Sequence, residues 1–131
     1  MPPTRIPTPA QLRRVRYALL AGPLLFGAVV FWLRWQGQPT AKPEVLTTFR
    51  LASYGLCFVV LAALLAIRRI RAGRPEGERG TWSLVGWALA EATALFGGVF
   101  LLMGGDPWPY ATGLLLILGS WSLIPADPAE I

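Results

Sequence analysis

At 131 residues the chain is sized for one domain, and 54% of it is hydrophobic against 15% charged, with a mean hydropathy of +0.51. A soluble domain carries roughly a quarter charged residues. The formal charge of +5 comes almost wholly from arginine, histidine is absent, and Cys57 is the one cysteine. Histidine-ligated haem, zinc sites, histidine-based triads and disulfides are thereby excluded, and no metal or other cofactor is expected. Nucleic acid is not expected as a partner either, because the apolar runs between the arginines are of membrane length.

Residues 1–10 hold four prolines, and 1–14 are expected to be a disordered cytoplasmic tail. The first span is placed at about 15–35, around an uncharged run at 17–33. It continues to Trp32, Arg34 and Trp35 without a small-residue cleavage site, so a membrane anchor is expected rather than a secretory signal. Pro23 within it should kink the helix and free a carbonyl about one turn earlier.

The second span, about 50–68, surrounds another uncharged run at 51–67. A third, about 81–104, carries Glu91 as its one charge and ends at the turn Gly104-Gly105-Asp106-Pro107. The fourth, about 107–125, has no charge and opens on Pro107 and Pro109, where a missing N–H costs little. A short cytoplasmic tail at 127–131 completes the chain. The expected fold is an all-α membrane protein, a four-transmembrane-helix bundle over 15–126 with helices three and four as an antiparallel hairpin.

Tyr17-Ala18-Leu19 aligns with Trp87-Ala88-Leu89 at an offset of 70 residues, Leu25-Phe26-Gly27 with Leu95-Phe96-Gly97, and Val29 with Val99. If the match marks a duplication, the unit is a helical hairpin repeated in one orientation. The second and fourth spans show no comparable match.

Lys and Arg fall nine to one side and three to the other. Arg5, Arg13, Arg14 and Arg16 join the middle-loop group Arg68, Arg69, Arg71, Arg74 and Arg79, against Arg34, Lys42 and Arg50. The positive-inside rule then puts both termini and the middle loop in the cytoplasm.

Glu91 stands about ten residues inside its span, with Trp87, Ala88, Ala94, Leu95 and Gly98 around it on the helix. Ala88, Ala94 and Gly98 are small enough to let another backbone approach, so they are the expected helix-packing residues. No cation lies at matching depth; Tyr54, Cys57, Thr93 and Thr112 are the expected hydrogen-bond partners. Burying an uncompensated carboxylate is costly, so Glu91 is expected to hold its proton at rest and donate a hydrogen bond. Two roles follow: a proton- or cation-exchanging carboxyl, or a protonated pin between helices.

The run from Gly86 through Ala88-Leu89-Ala90-Glu91-Ala92 to Phe96-Gly97 resembles the carboxylate helix of the rotary ATP synthase proteolipid. That likeness implies proton or Na⁺ carriage at Glu91. Here, however, the acid is on the first helix of its hairpin, where the family has it on the second. Four short spans with one embedded Glu also resemble the small multidrug resistance exporters, whose acid is on the first helix, where position 21 here is Ala. The paired patterns Ala18-Leu19 with Gly22-Pro23 and Ala88-Leu89 with Glu91, followed by Gly104-Gly105-Asp106, resemble small uncharacterised bacterial four-helix membrane proteins. That resemblance supports the fold, the topology and a bacterial inner-membrane location, and it supplies no activity.

The functional expectation is a non-enzymatic accessory or assembly subunit of a larger membrane complex. Its partners would be the lipid bilayer and other membrane chains, or copies of itself. The alternative is a proton-coupled small transporter working through Glu91.

Overall fold

The computed structural model describes residues 8–37 and 39–125. Four helices account for nearly all of them: α1 (Pro9–Trp35), α2 (Pro43–Ala72), α3 (Glu76–Leu102) and α4 (Trp108–Leu123). No strand occurs among the described residues. Helices α1, α2 and α3 are long and apolar enough to cross a membrane.

Hydropathy marks where a helix is apolar, and the polar ends extend the helices beyond those limits. Helix α1 begins at Pro9, inside the stretch 1–14 expected to be a tail, because Thr8 and Gln11 form a capping box with proline at the first helical position. The rest of that tail, 1–7, lies outside the described residues, as does 127–131. Helix α2 starts at Pro43 with Glu44 in its first turn and carries Arg69 and Arg71 in its last, charges that suit the helix dipole. Helix α4 has 16 residues, about 24 Å, and is shorter than the expected span.

The third connection has a local cause. Gly104, at φ +105°, ends α3 in a Schellman motif: its N–H bonds to the Leu101 carbonyl and that of Gly105 to the Phe100 carbonyl. The chain reverses there, and α4 packs back along α3. Two glycines allow backbone-to-backbone approach. A Cβ on Gly113 would stand 2.5 Å from Ala94 Cα, and one on Gly97 would stand 2.6 Å from the Tyr110 nitrogen.

Helix α3 is the hub, packed against each of the other three, whereas α1 and α2 barely touch. The two hairpins expected from the offset of 70 are therefore packed differently: α3 and α4 close tightly, and α1 and α2 part to either side of α3. One feature is shared, since Gly27 and its counterpart Gly97 both lie against Tyr110.

Each end is tied by polar contacts. At the α3–α4 turn, the Ala41 N–H donates to the Met103 carbonyl at 2.8 Å and Arg50 pairs with Asp106 at 2.8 Å. At the opposite end the Trp87 indole donates to the Ile124 carbonyl at 3.0 Å, and the Arg16 guanidinium lies 4.6 Å from the centre of the Trp121 ring. The core between them has two main parts: Val60, Leu64, Ile67 and Ile124 join α2 to the end of α4, and Ala90, Ala94 and Ile117 join α3 to α4.

Candidate functional site

Side chains around α3 divide by direction, as the 3.6-residue period requires. Gly98 meets the Phe26 ring of α1; Leu89 and Phe96 meet α2, the latter stacked on Phe49 with centroids 5.7 Å apart. Ala94 and Gly97 meet α4. The remaining strip, Val85, Ala88, Ala92 and Val99, is exposed. This strip is the exposed face of α3, flanked by its contacts with α1 and α2.

Glu91 lies on the α1 side of that strip, half-buried. A Cβ built on Gly22 would stand 3.2 Å from Glu91 Oε1, so the missing side chain at Gly22 is what admits the carboxyl. The next residue, Pro23, has no N–H and leaves the Leu19 carbonyl without its intrahelical donor. The carboxyl thus sits beside the one turn of α1 that is short of a hydrogen bond.

The four expected partners are placed otherwise. Thr93 donates to the Ala90 carbonyl at 2.6 Å and Thr112 to the Trp108 carbonyl at 2.9 Å, each within its own helix. Tyr54 is exposed on α2, and Cys57 is buried in the stripe of α2 that also holds Val60 and Leu64. Among the described residues no hydrogen bond or ion pair joins Glu91 to any of them. The physical reason is rotation about the helix axis: Glu91 faces α1, and α2 packs on the other flank of α3.

The expected packing residues separate in the same way. Ala94 is buried against Gly113, and Gly98 is buried against Phe26. Ala88 is exposed on the strip.

A second polar group within the bundle was not anticipated. The Tyr110 hydroxyl donates to the Pro23 carbonyl at 2.7 Å, in space left open by Gly27. The carbonyl engaged is that of the proline itself, not the one a turn earlier. The signal was present as Pro23 followed four residues later by Gly27, but its partner is 87 residues away in sequence. Among the described residues no group of acidic, histidine or cysteine side chains could hold a metal ion.

Chemically, the site offers one carboxyl, which when protonated donates one hydrogen bond and still accepts others, at the edge of a strip whose centre is Ala88 and Ala92. No family model, curated protein or solved structure matches the chain.

Proposed function

We propose that this protein is a non-enzymatic subunit of a bacterial inner-membrane complex, and that the exposed strip of α3 between α1 and α2 receives a transmembrane helix of a different chain. In this reading all four helices cross the bilayer, with both termini and the α2–α3 loop in the cytoplasm. The observation that carries it is that strip: Val85, Ala88, Ala92 and Val99 are exposed on α3, the helix that packs against all three others. Small residues at its centre, Ala88 and Ala92, allow a helix backbone to come close, the condition under which membrane helices associate. Glu91 at its edge then supplies a hydrogen bond that sets the incoming helix's register.

The lack of a hydrogen-bond partner for Glu91 among the described residues also favours a second reading, proton or cation exchange at a half-buried carboxyl. A photo-crosslinking residue introduced at Ala92, compared with one at Leu115 on the exposed face of α4, separates the two. The subunit reading expects adducts with one other membrane protein from position 92 and none from 115. Transport expects Glu91→Gln to abolish activity and its pH dependence, whereas the subunit reading expects that variant to assemble normally.

A further inference from the structure

At the end of the bundle remote from the α3–α4 turn, the last turns of α2 and α4 enclose a recess of about 190 Å³, lined by Arg68, Arg71, Ser122 and Pro125 among others. That is several times the ~30 Å³ occupied by one water molecule in the liquid. Arg68 and Arg71, three residues apart, lie on one flank of α2. Arg71 is fixed in place, since its Nη2 donates to the Pro125 carbonyl at 3.0 Å, yet its buried Nε has no partner among the described residues.

The positive charge there is uncompensated by any described residue. Arg79 adds a like charge near Arg71. Glu78, in the first turn of α3, is paired with Arg74 at 3.6 Å. The exposed Ser122 hydroxyl makes no hydrogen bond among the described residues. A guanidinium held in place at Arg71, with the Arg68 charge and a hydroxyl beside it, matches the oxygens of a phosphate group.

We propose that this recess binds a phosphate-bearing anion, and that its source is the headgroup of an anionic phospholipid. The lipid source rests on the membrane placement proposed above; the phosphate chemistry does not.

The test is native mass spectrometry of the detergent-purified protein titrated with phosphatidylglycerol, phosphatidylcholine or inorganic phosphate. The wild type is expected to retain phosphatidylglycerol in preference to phosphatidylcholine, and Arg68→Gln to lower that retention about fivefold. Arg68→Gln is the primary variant because it leaves the Arg71–Pro125 bond untouched; Arg13→Gln/Arg14→Gln is the control for diffuse charge. Displacement of lipid by millimolar inorganic phosphate assigns the recess to a soluble phosphate instead and keeps the phosphate chemistry.

Equal losses in the control and in Arg68→Gln overturn the proposal, as does retention of neither lipid nor phosphate by the wild type. Retention that arises only once Asp127 and Glu130 are neutralised also overturns it, giving the recess to the chain's own carboxylates. Failure of the membrane reading is separable, because it shows as release of the wild type from membranes at alkaline pH whatever the arginine variant.

Discussion

The hydroxyl of Tyr110 on α4 donates to the carbonyl of Pro23 on α1 at 2.7 Å, directly over Gly27. This bond links the first helix to the last, and Gly27 is its precondition: a Cβ there would overlap the tyrosine hydroxyl. Tyr110→Phe should cost about 1 kcal/mol, the net value of one such bond. Gly27→Ala should cost about 1–3 kcal/mol through overpacking. The double variant should be less destabilised than the two costs added, because the hydroxyl that clashes is the atom removed. Unfolding in detergent micelles measures all three.

Helical glycines should divide into two classes. Gly97→Ala and Gly113→Ala place a methyl against the backbone of Tyr110 and Ala94, which cannot move aside as a side chain would, so each should lose about 1–3 kcal/mol or more. Gly55 and Gly119 face open space. Alanine at either should be neutral or raise stability by up to about 1 kcal/mol. Thermal unfolding of the four single variants in one detergent checks the division.

Trp87 holds the end of α4 through the Ile124 carbonyl while packing on Leu12 of α1. Trp87→Phe keeps much of the apolar volume and leaves that carbonyl without its donor, with an expected loss of about 1–3 kcal/mol. Hydrogen exchange should quicken first in the last turn of α4, ahead of global unfolding.

Orientation is open to a direct check. In a Cys57→Ala background, Gln36→Cys should react with a membrane-impermeant maleimide on intact cells, whereas Ala72→Cys should react only after lysis. The reverse pattern would invert the proposed topology.

What the sequence made legible, and what it did not, follows from the kind of information each feature carries. Uncharged runs at 17–33 and 51–67 located two helices because apolar length is a local property. Gly104-Gly105 marked the reversal because a positive φ is local too. Helix ends were misjudged where Pro9, Pro43 and the arginines after Ile67 continue a helix past its apolar part. The surroundings of Glu91 were beyond reach. Depth along a span could be counted from the sequence, but whether Glu91 turns toward Gly22 or toward Cys57 depends on which helix packs on which flank of α3. The separation of α1 from α2 is likewise set by their common preference for α3, a choice among neighbours that no single segment records.

Native mass spectrometry of the tagged protein, gently extracted from its own membranes, tests the central claim most directly. The account predicts a fixed-stoichiometry complex with a different membrane protein, lost on adding bulk to the exposed strip of α3 with Ala92→Trp and kept in Leu115→Trp. A homo-oligomer or a monomer carrying no second protein, unchanged by Ala92→Trp, would contradict it.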